Sequence, residues 1–555
     1  MPKQSDISSP DARPAPRRAA LAPFASRDFR RLWSATLVSN FGGLIQAVAA
    51  AWMMTQLTDS PTLIALVQAS NTLPVMLFAL VSGALADLFD RRQLMLLAQG
   101  LMFASSLALA VIAWFGLLTP WVLLTMTFLI GIGSAVYNPP WQASMGDLVP
   151  RKDLPAAVTL NSVGFNLMRG VGPAAGGLIV AAWGGAAAFL LNALSYIPLL
   201  GAFLRWQPPP APPRTVAREP FFAAVLGGVR YVALSPNLLR VMLRGALFGF
   251  AGVSILSLLP LVAKEHTSSG SLLYGALLGC FGIGALAGAA LNPRVRDRFD
   301  NENIVRMAFA AFAFSTLVLA KTQNVFIIGI GLLPAGAAWV LALSLFNVSV
   351  QLSTPRWVVA RALALYQTAV FGGMAAGSWA WGFAATVYGW QTAFLISAGM
   401  LVFGVVVGLW LRQPEFSNLD LDPAEMFRAP VPALDIRRRS GPIMVMVDYS
   451  IDKADVPRFL ALMRKRRMIR RRDGARNWSL LRDLEHPDQW SESYHIATWD
   501  EYVRHNERRT KSDSEITQAL RRLHRGDEPP MVHRMIERHT ISRHDDRPLI
   551  GKMDI

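Results

Sequence analysis

Residues 83–92 read Gly83-Ala-Leu-Ala-Asp87-Leu-Phe-Asp90-Arg91-Arg92 and sit where two apolar runs, 62–86 and 93–117, meet. Small residues let two helices approach closely. An aspartate at a helix end is satisfied by an arginine or by a helix N-terminus. The stretch therefore predicts a tight charged turn between two membrane helices. Gly83, Asp87, Arg91 and Arg92 are candidates for a gate, in which an Asp87–arginine pair forms in one conformation and breaks in another. The plainer reading of the same ten residues is a polar turn whose arginines set topology. The corresponding stretch of the second half of the chain, Gly288 to Asp300, is degenerate.

The same alternation of apolar run and short charged loop extends in both directions. A spanning helix needs about 20 mostly apolar residues, and twelve runs meet that length: 33–56, 62–86, 93–117, 120–145, 157–182, 187–205, 239–263, 270–292, 303–320, 323–352, 361–387 and 391–411. Of the 555 residues 53% are hydrophobic and 16% charged, against roughly 25% charged in soluble domains. The net charge of +17 lies mainly in short loops between apolar runs. That is the pattern of membrane topology rather than of nucleic-acid binding. With an even number of spans both termini share one side. That side holds Arg27, Arg30, Arg31, Arg91, Arg92, Arg151, Lys152, Arg205, Arg214, Arg218, Arg294, Arg296, Arg298, Arg356 and Arg361, and the other only Lys264 and Lys321. Both termini are expected in the cytoplasm. No cleavable signal peptide is expected, because the first apolar run is too long for one. Cys280 is the single cysteine, so no intramolecular disulfide forms.

The chain divides near its middle at Pro208-Pro-Pro-Ala-Pro-Pro213, an extended segment, followed by an amphipathic stretch at 221–234 expected at the inner interface. The flanking halves are related. Tyr137-Asn138 with Gln142 matches Phe346-Asn347 with Gln351, and Pro150-Arg151 matches Pro355-Arg356. Phe189-Leu-Leu-Asn-Ala and Phe394-Leu-Ile-Ser-Ala follow at equal spacing. A parallel repeat of six spans accounts for this series. Beyond residue 412 the composition turns polar, and 441–540 reads β-α-β-β-α-β, with strands at 443–451, 477–484, 491–497 and 531–538 and helices at 455–469 and 500–523. The expected organisation is a cytoplasmic segment 1–32, a six-helix bundle 33–205, a cytoplasmic loop 206–238, a second six-helix bundle 239–412, a linker 413–440, an α+β ferredoxin-like domain 441–540 and a tail 541–555. The fold class is thus a polytopic all-α membrane protein with a small α+β domain at its end.

Within the spans few polar groups stand out. Arg169-Gly-Val-Gly172-Pro173-Ala-Ala-Gly176-Gly177 lies in the fifth. Its glycines remove side-chain bulk and Pro173 frees a backbone carbonyl, so the helix packs tightly and bends. A routine helix contact is the alternative. Arg169 is the ionisable residue nearest the middle of any span, at a cost of about 2.5–3.5 kcal/mol on insertion scales. It needs a partner or a wet cavity, and an anionic ligand suits it. The alternatives are bonds to backbone carbonyls and snorkelling. Asn40, Gln46, Asn138, Asn166 and Asn347, with Gln142, either line a central cavity or pin helices together. No carboxylate lies deep in a span. In the C-terminal part, Arg470-Arg-Arg-Asp473-Gly474-Ala reads as a turn with a solvated basic face, and Trp499 with 504–510 as a pocket wall or a surface helix. No metal-ligand spacing, phosphate loop or nucleophile triad is present, so no cofactor, metal or enzymatic activity is expected.

Taken together, Gly83 to Arg92 resembles the loop motif of the major facilitator superfamily, and Gly172-Pro173-Ala-Ala-Gly176-Gly177 resembles the core of its antiporter motif, with Thr159 and Met168 where that motif carries upstream glycines. Trp33, Leu57-Thr58-Asp59-Ser60-Pro61, Asn138-Pro139-Pro-Trp141-Gln142-Ala143 and Leu160-Asn161-Ser162 with Arg169 resemble the enterobactin-exporter-like transmembrane secretion effector group over residues 22–415. The tail is similar to antibiotic-biosynthesis-monooxygenase-like domains. The resemblance implies secondary transport: export of a siderophore-like or drug-like molecule across the bacterial inner membrane by alternating access, coupled to protons. The expected partners are a small-molecule substrate, protons and the lipid bilayer, with the C-terminal domain read as a regulatory module or as one that pairs two copies of the chain. A tethered cofactor-free oxygenase is the alternative for that domain.

Overall fold

The computed structural model describes residues 21–208, 221–266, 270–355 and 357–415, and most positions from there to 537. Residues 1–20, 209–220 and the tail 541–555 lie outside the described residues, as do the side chains of Gly83 and Asp87. The chain forms two compact units.

The first unit is helical. In chain order come α1 (Arg27–Leu57), α2 (Pro61–Leu88), α3 (Arg91–Trp114), α4 (Pro120–Leu148) and α5 (Leu154–Arg205). Then follow α6 (Phe221–Ala233), which belongs to the second unit, α7 (Pro236–His266), α8 (Gly270–Arg298), α9 (Asn301–Lys321), α10 (Val325–Leu352), α11 (Val359–Tyr388) and α12 (Trp390–Val407). Local chemistry sets the starts. The side chains of Ser26, Ser60, Asp90 and Thr119 accept hydrogen bonds from the first-turn amides of α1 to α4, and proline opens α2 and α4, where its missing N–H costs nothing. Asp90, placed in the gate motif by sequence, is thus the cap of α3. Helices such as α1 begin several residues before their apolar runs, because backbone hydrogen bonding continues through the charged residues at a membrane edge.

Among the described residues ten helices are long and apolar enough to cross a membrane. One of them, α5, has 52 residues and is broken at Gly184, whose φ of 80° and ψ of 173° are not helical. In the second half Gly389, with φ 82° and ψ 156°, separates α11 from α12. Both glycines stand at the same spacing from their Pro-Arg pairs, and this left-handed backbone favours glycine. The repeat inferred from side chains is therefore repeated in the backbone.

The two halves fill their interiors differently. In the first, Gln46, Ser106 and Asn192 form a buried polar knot: Ser106 Oγ donates to Gln46 Oε1 at 2.7 Å, and Asn192 Nδ2 donates to Gln46, Ser106 and Tyr196. In the second, Phe248 meets Phe309, Phe312 and Trp339 with centroids 5.1–5.9 Å apart, a spacing that favours edge-to-face attraction.

The second unit holds α6, the segment 346–365 and the chain after residue 413. Its sheet has strands β1 (Ile443–Ser450), β2 (Arg476–Arg482), β3 (Gln489–Ile496) and β4 (Val532–Ile536) in the order β2-β3-β1-β4, every neighbour antiparallel. Along β1 alternate residues are buried, Ile443, Val445, Val447 and Tyr449, and this face packs on α13 (Val456–Arg472), α14 (Trp499–Glu507) and α15 (Lys511–Leu523). The helix expected at 500–523 is two. The break falls where Thr510 and Asp513 form a reciprocal capping box that starts α15, a signal that outweighs helical continuity.

The basic turn expected at 470–474 is not solvated. Arg470 and Asp473 are buried. Glu492 accepts from Arg466 at 2.7 Å, Arg470 at 3.3 Å and Trp478 at 3.0 Å. Burial opposes its charge, but the two arginines prevail and hold its carboxyl at about 2. Stacked side chains join this domain to the rest of its unit: Arg472 lies 5.0 Å from the Tyr231 ring and Arg508 4.1 Å from that of Trp357, itself edge-on to Tyr231.

Candidate functional site

The first arm of α5 runs between α1 and α8, and its glycines decide how closely. A Cβ on Gly172 would stand 2.8 Å from Leu44, and one on Gly176 would stand 3.1 Å from the Ile45 backbone, so these two seat α5 against α1. The opposite face meets the second half of the chain. A Cβ on Gly177 would lie 2.6 Å from the Ser271 carbonyl, and one on Gly275 2.7 Å from that of Pro173. Pro173 has no N–H, so the carbonyl of Arg169 lacks its usual helical donor. Gly282 approaches that carbonyl, where a Cβ would come within 2.6 Å. The motif expected to pack helices thus serves two seams, Gly172 and Gly176 within a half and Gly177 between halves.

Further contacts between the halves gather where α1 ends and α2 begins. Lys264 Nζ donates to Asp59 Oδ1 at 2.7 Å and to the Thr55 carbonyl at 2.8 Å. Thr62 and Thr386 share a hydrogen bond of 2.8 Å, and Gly382 admits Thr62 and Ala65. Deeper along α2, Thr368 Oγ1 donates to the Met76 carbonyl. These bonds tie the two halves of the bundle together.

Arg169 lies roughly 22 Å along α5 from its start, at 1.5 Å per residue, beside the α8 seam. It is half-buried and pairs with no carboxylate among the described residues. The amides separate into groups. Asn138 is exposed and Asn166 half-buried; each donates to a carbonyl four residues back, of Ser134 and Ser162, at 2.9 Å. Asn40 is half-buried. Gln46 sits in the polar knot at 4% exposure. Its carbonyl oxygen accepts from Ser106 and Asn192, the arrangement of the pinning alternative. Asn347 belongs to the second unit and accepts from Gln351 at 2.6 Å.

The arginines of the gate motif have partners sequence reasoning missed. Arg91 Nη1 donates to Asp147 Oδ2 at 3.3 Å. Arg92 donates to the carbonyls of Phe203 and Leu204 at 2.8 and 2.7 Å, the open end of α5. Also missed was the cluster of Arg244, Glu302 and Arg306. Arg244 is fully buried, and Glu302 accepts from it at 3.3 Å, from Arg306 at 3.1 Å and from the Gln413 amide at 2.8 Å. The two acids stand 56 and 58 positions from Arg91 and Arg244, so no local signal points to them.

A family model described as "Transmembrane secretion effector" matches residues 18–542. The chain belongs to this family of major facilitator superfamily transporters. Among relatives of this secretion-effector chain, the multidrug efflux pump Tap of Mycolicibacterium fortuitum is 27% identical over 402 residues, 70% of this chain and 96% of that protein. Macrolide efflux protein A of Streptococcus pyogenes is 25% identical over 275 residues, 46% of this chain and 66% of the relative. The staphyloferrin A transporter of Staphylococcus aureus is 23% identical over 288 residues, 51% and 72% respectively. In fold the chain is similar to a bacterial homolog of the human lysosomal transporter Spinster in an inward-facing and unoccupied conformation, with a TM-score of 0.56 and 14% identity over 69% of this chain and 96% of that one. It is also similar to a POT family transporter in complex with a thioalcohol-conjugated peptide, with a TM-score of 0.57 and 12% identity over 69% and 96%. The secretion-effector chain is a multi-pass membrane protein.

Proposed function

We propose that this protein exports a small organic molecule across a bacterial inner membrane by alternating access. Its bundle crosses the membrane twelve times: the ten apolar helices, with α5 counted twice at its break, and α11. Both termini face the cytoplasm, and the protein is a transporter rather than an enzyme. The observation that carries the reading is Arg169, in mid-helix beside the α5–α8 seam with no carboxylate partner among the described residues, while the Lys264–Asp59 and Thr62–Thr386 bonds close one end of the bundle. A guanidinium within a membrane span is costly without a partner, so it belongs where an anionic group passes. The closed end carries the loops poor in arginine, which makes this the inward-facing state. Asn40, Asn138 and Asn166 would offer the same cavity polar contacts. Gly83 and Asp87 with Arg91 and Arg92 would close the inner side in the other state. The relatives' names, for macrolide efflux, multidrug efflux and staphyloferrin A transport, support export of a drug-like or siderophore-like solute. Protons are the coupling ion we propose. We read residues 441–540 as a ferredoxin-like module that regulates the exporter or pairs two copies through its sheet.

Purified protein in liposomes with an imposed proton gradient tests this. Movement of at least one compound from a panel of macrolides and staphyloferrin A is expected. Arg169→Gln should lower the rate for an anionic substrate at least tenfold without changing the yield of folded protein, and Arg169→Lys should retain part of it. No gradient-dependent movement across the panel, or an unchanged rate in Arg169→Gln, would end the proposal.

A further inference from the structure

Between the sheet and the helices of the C-terminal domain lies a cavity of about 450 Å³, within the range that small-molecule sites occupy. Its floor is the buried face of β1, Val445, Val447 and Tyr449, with Tyr494 of β3 beside it. Phe427 and Tyr502 form an aromatic wall, their ring centroids 6.1 Å apart. Five arginines line it, 466, 470, 509, 521 and 534, against the carboxylate of Glu507 and that of Glu492 behind.

Not all of this charge is spoken for. Arg466 and Arg470 are held by Glu492. Arg509, between α14 and α15, meets no carboxylate among the described residues and donates only to the side-chain oxygen of Asn506. Burial, with repulsion from Arg470, brings its guanidinium down to about 10. His505 is pushed well below its usual value by burial and by the same arginine, so it adds no positive charge at neutral pH. Two tyrosines make the second observation. Tyr494 and Tyr449 are 1% and 2% exposed, and neither hydroxyl hydrogen-bonds a described residue. Both residues line the cavity, so their hydroxyls are free to donate into it, beside an arginine that has no carboxylate partner among the described residues.

We infer that this cavity binds a small aromatic carboxylate, its carboxyl held by Arg509 and the hydroxyls of Tyr449 and Tyr494 and its ring lying on Val445, Val447 and the Phe427–Tyr502 wall. Arg521 and Arg534, both exposed, stand at the mouth, where they draw anions in. Inorganic phosphate suits the charge but leaves the aromatic wall uncovered. The site is separate from Arg169 and does not depend on the transport reading.

Calorimetry on the full chain in detergent, with benzoate and salicylate as probes, tests the inference. One saturable site is expected, with uncharged benzamide at least tenfold weaker and phosphate unable to displace benzoate. Arg509→Gln should weaken binding at least tenfold and Tyr494→Phe several-fold, with melting temperatures kept as the check of folding. Should Arg509→Gln fail to fold, Arg521→Gln at the exposed mouth should still weaken binding several-fold. The assignment is overturned if neither anion binds saturably, if benzamide or phosphate competes equally, if these variants bind normally, or if binding is lost in Arg169→Gln instead.

Discussion

Each half of the bundle opens its third helix on an aspartate, Asp90 for α3 and Asp300 for α9, and follows it with charged residues that are handled in opposite ways. In the first half Arg91 and Asp147 meet at 3.3 Å with about a third of each side chain exposed, 34% and 33%. In the second, Arg244 is wholly out of contact with solvent, and Glu302 takes bonds from Arg244, Arg306 and the Gln413 amide. An exposed pair gains little and breaks cheaply. A desolvated one is held by what its loss would strand. We read the breakable pair as marking the half that moves and the desolvated cluster as marking the half that stays rigid.

The contrast is broken most directly at Glu302. Glu302→Ala strands Arg244, two of whose guanidinium nitrogens, Nε and Nη1, already lack a hydrogen-bond partner and whose remaining support is the Phe309 ring at 5.2 Å. A loss of about 3–5 kcal/mol is expected, the usual cost of removing one partner from a buried pair, read as a lower melting temperature and less monodisperse protein. Replacing both Arg244 and Glu302 by Met should cost less than Glu302→Ala alone. A melting temperature equal to wild type would show that Glu302 is not what holds Arg244.

A middle-sized effect belongs to Arg92. It closes the end of α5 through two carbonyls that have no helical donor. Arg92→Ala should cost about 1.5 kcal/mol, the low end for bonds to a charged donor. Arg92→Lys should recover part of that, since any cation near a helix C-terminus is favoured. Equal stability of Arg92→Ala and wild type would mean that α5 ends well without it.

How far the sequence reached follows from the kind of signal. Helical spans were readable because bilayer thickness fixes their length, and the repeat because Asn138 and Asn347, with the Pro-Arg pairs, stand in equal order. The break between the fifth and sixth spans was readable as a gap around Gly184, though not as a left-handed glycine. Partners were not readable. Asp147 lies 56 positions from Arg91 and Glu302 58 from Arg244, and nothing local joins such residues. Gln46 read as a cavity amide because its neighbours in the knot, Ser106 and Asn192, sit on other helices. Arg470 and Asp473 read as solvated because a run of arginines is normally a wet face. Burial by Glu492 and α15 comes only with the tertiary fold.

Asp147 sharpens the comparison with the smallest change. Asp147→Asn keeps the size of the side chain and removes its charge from a pair that water already reaches. A cost under about 1 kcal/mol is expected, so the melting temperature should barely move. The consequence for function need not be small, because 1 kcal/mol shifts a two-state equilibrium about fivefold. If Arg91–Asp147 helps set the balance between conformations, Asp147→Asn should change the transport rate several-fold at constant stability. Raising salt should have the same effect on wild type and little on the variant, since screening acts on the pair the variant has already lost. A fall in stability as large as that of Glu302→Ala would place Asp147 with the rigid charges instead, and the proposed division between a moving and a rigid half would not hold.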